Sequence, residues 1–279
     1  MSDYPQVLPG GSLLLAWQLK EKRVVLVGGG GVAAGRLLNI LQADALVTLI
    51  APSSLLNKEV RYRITEDPMC APRITYIDRL YQGPEDLEGA DMVLTAIDDN
   101  EASLAIWRDA KALKIPINVA DVPSSCDFYF GSQIRRGPLQ VMVSTNGKGP
   151  KLAALIRQRL EDALSPNVEV AIDKVGVLRE KLKVRAPGIG GKVSRERMKW
   201  MIGVCDTWTM EQLAELDEPA MERLLDEGWN TRTVPGYHQI VDRNRWASLK
   251  YLEWDTWNAS CFTGGLILGG MFAWWRARR

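Results

Sequence analysis

Two features of this chain carry residue types with an evident chemical use: the run Gly28-Gly-Gly-Gly31-Val-Ala33 and the carboxylate of Asp121. The glycine run follows an apolar stretch, Arg23 to Val27, and precedes helical spacing from Val32 to Gln42. Read as G-x-G-x-x-A, its fingerprint positions are Gly28, Gly30 and Ala33. Gly28 permits a tight turn, Gly30 admits backbone close to a pyrophosphate, and Ala33 lets the helix pack against the strand. The N–H groups and positive dipole end of the helix then suit the phosphates. A glycine cluster alone also marks a plain turn; the strand–turn–helix context is what points to a dinucleotide. The acid of the fingerprint, expected about 20 residues on, is missing. Its place in Ile50-Ala-Pro-Ser-Ser54 is taken by Ser53. Serine can bond a ribose hydroxyl but carries no charge, and no arginine stands beside it to select a 2′-phosphate, which favours NAD over NADP. The candidate cofactor contacts are Gly28, Gly30, Gly31, Val32 and Ala33, with Ala51, Ser53, Ala96, Ile97 and Asn118 at the strand ends.

Asp121 closes Asn118-Val-Ala-Asp121 on the side of the sheet where open α/β folds place ligands. A carboxylate there can move a proton or orient a metal. Aspartate is equally a turn cap, and from chemistry alone the two readings stand side by side. Asp98-Asp99-Asn100 reads as a helix-capping turn beside the cofactor. Cys126 has no histidine near it in sequence and reads as a small packed residue rather than a nucleophile. The other cysteines, Cys70, Cys205 and Cys261, form no CxxC pair. With no signal peptide, reduced thiols in a cytosolic or similar compartment are expected. The single histidine, His238, excludes a His-rich zinc site and reads as a surface-loop residue, so no preformed metal site is expected.

To position these groups, the first half alternates short apolar runs with helical stretches. Strands are predicted at Arg23–Val27, Val47–Ile50, Ile74–Ile77, Met92–Thr95 and Ile115–Val119, with a helix from Glu101 to Leu113 before the last. Such alternation implies a parallel sheet covered on both faces. Two further β-like runs, Phe128–Phe130 and Leu139–Val143, are joined by the turn Arg135-Arg-Gly-Pro138. From Pro150 the pattern turns helical: 151–164, 168–184, 195–205, 209–216 and 218–227, with the breaker run Ala186-Pro-Gly-Ile-Gly-Gly191 between the second and third. The clearest composition shift falls near 147–150. The expected fold is α/β, with a parallel sheet, a β-hairpin and a mostly helical C-terminal half.

Composition narrows the function classes. The 279 residues are 46 % hydrophobic and 25 % charged, which excludes wholesale disorder and a many-span membrane protein. A net charge of +1 gives no global field for nucleic acid. Residues 151–200 hold twelve Lys/Arg against six Asp/Glu, enough to engage an anionic partner. At the C-terminus, residues 257–275 form a charge-free run ended by Arg276-Ala-Arg-Arg279. As a helix this run spans about 28 Å, with tryptophans at both ends and a Gly265–Gly269 packing spacing. It is expected to be a membrane anchor on the cytoplasmic side of an organelle; a buried or partner-binding helix is the other reading.

Three stretches together resemble the sirohaem synthase family: Leu15 to Gly30, Asn118-Val-Ala-Asp-Val-Pro-Ser-Ser-Cys-Asp-Phe-Tyr-Phe-Gly131, and Val143-Ser-Thr-Asn-Gly-Lys-Gly-Pro150. Val177 to Pro187 is similar to that family's helical region, and the likeness runs from about residue 12 to 230 in consistent order, nearest to the fungal bifunctional type. The resemblance implies a Rossmann-like NAD-binding domain over 1–148, a helical dimerisation region over 149–205 and a small helical domain over 206–255. It implies NAD-dependent oxidation of precorrin-2 to sirohydrochlorin, ferrous iron insertion to give sirohaem, and a homodimer. The family's key aspartate falls on Asp121, and a bacterial serine falls on Thr145. The carboxylate-rich substrate gives a use to the basic excess, with Arg157 and Arg179 as candidate contacts beside Lys183 and Arg185. Alternatives are a dehydrogenase alone, or a membrane-tethered nucleotide sensor.

Overall fold

The computed structural model describes residues 4–5 and 9–241. The candidate anchor at 257–275 lies outside the described residues, and within them no helix is long and apolar enough to cross a membrane. The described residues fall into two compact units: those up to 132 together with 143–154, and 133–142 together with those from 155 onward.

The first unit is built on a five-stranded parallel sheet of order β3-β2-β1-β4-β5. Its strands are β1 (Arg23–Val27), β2 (Leu46–Ile50), β3 (Ile74–Ile77), β4 (Met92–Thr95) and β5 (Ile117–Val119). The central strands are buried along nearly their whole length, which is why they read as unbroken apolar runs rather than alternating ones. Helix α1 (Gly31–Gln42) covers one face through Ala33, Leu37, Ile40 and Leu41, packed with Leu26, Leu49 and Leu94. Helix α3 (Asn100–Ala112) covers the other through Ile106 and Ala110, against Val25, Val93 and Ile117. Between them α2 (Lys58–Thr65) starts at Asn57, whose side chain accepts from the Glu59 N–H at 2.8 Å. The strand order reverses between β1 and β4, so their carboxyl ends open the crevice in which such sheets bind ligands.

Two sequence expectations are corrected here. Phe128–Phe130 is no strand: the Phe128 carbonyl accepts from Asn118 Nδ2 at 2.8 Å, and the rings of Trp17, Phe128 and Phe130 meet as an aromatic cluster. The hairpin is instead β6 (Ser132–Arg136) with β7 (Leu139–Val143), turned by Gly137 at φ +53° and Pro138. Apolar content there serves ring packing, not a sheet. Strand β5 also starts two residues later than predicted, because Pro116 has no N–H to give and contributes only its carbonyl, to Val93 N–H.

Helix α4 (Pro150–Ala163) leads into the helical half. There follow α5 (Val168–Arg185), α6 (Gly191–Thr207), α7 (Met210–Ala214), α8 (Glu218–Arg223), a π-helical turn at Leu224–Trp229, and α9 (Tyr237–Ile240). Helix α6 starts four residues before the predicted Arg195, directly from the left-handed pair Gly190 and Gly191. Leu178, Leu182, Trp200, Val204, Leu224 and Ile240 form the core of this half. Two of its buried indoles are satisfied: Trp200 Nε1 donates to Thr233 O at 2.7 Å and Trp208 Nε1 to Pro235 O at 2.9 Å.

Candidate functional site

At the end of β1, Gly28 has φ +121°, and a Cβ built there would lie 2.2 Å from the Ala96 carbonyl oxygen. Only glycine admits this approach of β1 to the end of β4. Gly30 and Gly31 differ: a Cβ at either meets nothing within 4 Å. That open space lies at the N-terminus of α1, where no side chain caps the helix and no acidic residue occupies the first turn. The N–H groups of Gly31, Val32 and Ala33 therefore keep the helix dipole's positive end free for an anion. Ala33 is fully buried against the sheet. One residue before Ala96, Thr95 is 2 % exposed and its hydroxyl has no partner among the described residues, an orphan polar atom at the carboxyl end of β4. The turn, the uncapped helix end and the empty glycine face fit a dinucleotide pyrophosphate. Asp99 caps α3, accepting from Ala102 N–H at 3.0 Å.

The end of β2 departs from expectation. Ser53 has an arginine beside it after all: Arg61 Nη2, on α2, donates to the Ser53 carbonyl at 2.9 Å. Sequence distance hid this, because one turn and the start of α2 bring the two together. A carboxylate is present too: Asp78, just past β3, accepts from the Ser53 N–H at 2.6 Å. The Ser53 N–H and hydroxyl, Tyr76 and Arg61 hold Asp78 below the usual carboxylate range. Ala51 is buried here, its carbonyl accepting from Tyr76 Oη at 2.8 Å.

Asp121 follows β5 in the left-handed conformation, φ +60°, one that aspartate tolerates better than most residues. It is exposed, and its carboxylate makes no hydrogen bond among the described residues, so it caps nothing. Beneath it, Asn118 is tied into the scaffold: Nδ2 donates to Phe128 O at 2.8 Å and to Cys126 Sγ at 3.4 Å. Cys126 also receives the Val119 N–H at 3.3 Å, and burial pushes its thiol up. Asp127 bridges Lys111 Nζ at 2.8 Å and the Ile117 N–H at 3.0 Å, fixing the loop that follows Asp121.

One residue was missed by sequence reasoning. Arg36, on α1, lays its guanidinium over the Phe130 ring at 3.9 Å from the centroid. Burial lowers its pKa, while the fields of Cys126 and Asp121 raise it, which places the cation within electrostatic range of Asp121. No carboxylate pairs with it among the described residues. In sequence Arg36 looks like any polar position on an amphipathic helix; only the fold brings Phe130 and Asp121 to it.

The tetrapyrrole contacts suggested by sequence have partners or settings of their own. Thr145 closes a turn, its hydroxyl accepting from Gly149 N–H at 3.2 Å. Arg157 and Arg179 belong to the second unit. Arg157 pairs with Glu161 on its own helix, and Arg179 is exposed. Lys183 pairs with Glu180 at 2.6 Å, and Arg185 with Glu222 at 2.8 Å and with Asp226. Several cations of the basic run at 151–200 are thus paired, some with acids on their own helix and Arg185 with acids from a later segment. His238 packs edge-on to Tyr237 at 5.2 Å.

Comparison with known proteins gives a consistent result. Residues 15–132 match a family model described as putative NAD(P)-binding. Residues 136–163 and 165–235 match the central and C-terminal models of sirohaem biosynthesis proteins. The chain is 48 % identical over 240 residues to the siroheme biosynthesis protein of Schizosaccharomyces pombe, covering 86 % of this chain and 88 % of that one. It is 29 % identical over 248 residues to the siroheme biosynthesis protein of Saccharomyces cerevisiae, covering 77 % and 89 %. Against siroheme synthase of Photorhabdus laumondii it is 36 % identical over 171 residues, 60 % of this chain but 34 % of that longer protein. Among solved structures, SirC, precorrin-2 dehydrogenase, shares the fold at a TM-score of 0.57 and 20 % identity, covering 77 % of this chain and 98 % of that one.

Proposed function

The chain belongs to the sirohaem biosynthesis family, and from that premise we propose that it oxidises precorrin-2 to sirohydrochlorin with NAD and then inserts ferrous iron to give sirohaem. The observation that carries this is Asp121: an exposed, hydrogen-bond-free carboxylate held left-handed at the carboxyl end of β5, in the sheet whose glycine turn fits a dinucleotide. Gly30, Gly31 and the N–H groups of Val32 and Ala33 would hold the pyrophosphate, with Gly28 keeping the turn tight. When bound, NAD supplies the two-electron acceptor. The oxidation also releases a proton, and a carboxylate oxygen of Asp121 takes it and passes it to water. Metallation, with iron as substrate, must strip both pyrrolic N–H protons, and the same oxygen takes them one at a time, passing each to water before the next. Arg36, steadied on Phe130, offers its charge to a substrate carboxylate.

Two further parts of the reading concern assembly. A homodimer is supported by α4, where Leu152, Leu155, Ile156 and Leu160 form an exposed apolar stripe at helical spacing. The run at 257–275 is proposed as the membrane anchor, tested by alkaline carbonate extraction of the full chain against a 1–255 truncation.

The activity is tested by an absorbance time course with the full chain, precorrin-2 and NAD, ferrous iron being added once the first phase ends. NADH formation followed by an iron-dependent phase faster than an enzyme-free control is the expected result. A first phase alone reduces the protein to a dehydrogenase. No NADH at all overturns the enzyme reading. Asp121→Asn, which keeps the left-handed preference, should slow both phases by about 10²-fold or more, and equal rates would remove Asp121 from the mechanism.

A further inference from the structure

The ribose-binding acid missing from the end of β2 has a counterpart one strand over. In the parallel register Ile50 stands opposite Ile77, so β2 and β3 end at the same height. The bond from Ala51 N–H to Ile77 O, at 3.2 Å, continues the ladder one residue further. Asp78 thus comes up beside Ser53, and the Ser53 N–H fixes its carboxylate at 2.6 Å. We infer that Asp78, supplied by β3, is the residue that reads the adenosine ribose of the bound dinucleotide, and that Arg61 on the far side of Ser53 is the cation whose pull toward a 2′-phosphate Asp78 counteracts. This inference rests on the dinucleotide reading of the glycine turn.

The chemistry follows from the charges. A carboxylate has about four lone-pair sites, so the contacts from Ser53 and Tyr76 still leave capacity to accept from a ribose hydroxyl. Asp78 is exposed, so a ligand can reach it. The groups around it keep it ionised at neutral pH. A 2′-phosphate brought to that place would set two anions against each other, with only Arg61 in favour. Ser53, the residue that the fingerprint itself indicates, orients both: its N–H holds Asp78 and its carbonyl holds Arg61. The result is a site for an unphosphorylated ribose diol, and hence for NAD.

The test is equilibrium binding of NAD and of NADP to the full chain by titration calorimetry, read as the ratio of the two dissociation constants. The wild-type chain should prefer NAD. Asp78→Asn keeps an acceptor for the Ser53 N–H but loses the charge. It should shift the ratio toward NADP by about tenfold or more, equivalent to roughly 1.4 kcal/mol. A merely structural role for Asp78 would weaken both ligands alike, and an unchanged ratio in a folded variant overturns the inference. Should that variant not fold, Arg61→Gln reads the same site from the other side: NADP affinity should fall further than NAD affinity, and equal effects overturn it. If wild-type protein binds neither dinucleotide, the proposed function fails along with this inference. If it binds both and only the variants are silent, the inference alone falls.

Discussion

The guanidinium carbon of Arg36 stands 3.9 Å from the centre of the Phe130 ring, in a half-buried position with no carboxylate partner among the described residues. Burial is the dominant influence on this cation and works against its charge. An arriving carboxylate would therefore gain a charge-assisted bond where water competes poorly. Losing such a bond costs roughly 1.5–3 kcal/mol. Arg36→Met should accordingly raise the KM for the tetrapyrrole about ten- to a hundredfold, with a smaller change in kcat. Arg36→Lys should recover part of the loss, since it keeps the charge but not the planar fork. Steady-state kinetics on both variants decide it: a fall in kcat at unchanged KM would refute a substrate-anchoring role.

The two kinds of glycine in the turn after β1 predict opposite phenotypes. At Gly28 a side chain would collide with the Ala96 carbonyl and occupy a left-handed backbone, so Gly28→Ala should cost about 3 kcal/mol of stability. At Gly30 the space is empty. Gly30→Ala should leave stability within about 0.5 kcal/mol while weakening dinucleotide binding by about tenfold or more. Denaturant titration and calorimetry on the pair separate the effects; similar stabilities for both variants would contradict the geometry.

Acid should loosen the first unit through Asp67. Its carboxylate interacts with the Cys70 thiol, accepts from Arg63 Nη1 at 2.7 Å and from Met69 N–H at 3.0 Å, and lies at about 2 rather than its ordinary 3.8. A carboxylate depressed on folding contributes stability above its unfolded pKa and loses it as pH falls through the folded one. The loss should therefore appear between about pH 4 and about pH 2. Denaturation midpoints across that range should fall for the wild type and flatten in Asp67→Asn, and parallel curves would show that Asp67 contributes nothing to the acid transition.

The exposed stripe on α4 makes a prediction about mass. Leu155→Glu places a charge among Leu152, Ile156 and Leu160 without touching a buried residue. Sedimentation should show the wild type as a dimer and the variant as a monomer of unchanged helical content. A variant that remains dimeric would exclude this stripe as the contact.

Where segments were fully buried, the sequence read well: β1 and β4 are continuous apolar runs because both faces are covered, and the glycine turn declares itself by composition. What misled was apolar residues buried by other means. Phe128–Phe130 carries strand-like composition but spends it on a ring cluster with Trp17 and Arg36. The site was legible only as far as single elements reached. Sequence places Asp121 at the end of its strand and leaves its role open, whereas Arg36 beside Phe130, and Asp78 beside Ser53, depend on contacts between elements remote in the chain, for which residue spacing holds no signal. The basic run at 151–200 shows the same limit from the other side, since the acids that pair with Arg185 lie in later segments.

Cys126 is held by Asn118 and Val119 and donates its own S–H to the Val119 carbonyl at 3.1 Å. Burial, the leading influence on it, favours the neutral thiol. Only a thiolate captures metal strongly. Burial thus makes Cys126 a weak ligand for any metal ion that reaches it. The same burial slows its reaction with peroxide, which attacks the thiolate rather than the neutral thiol.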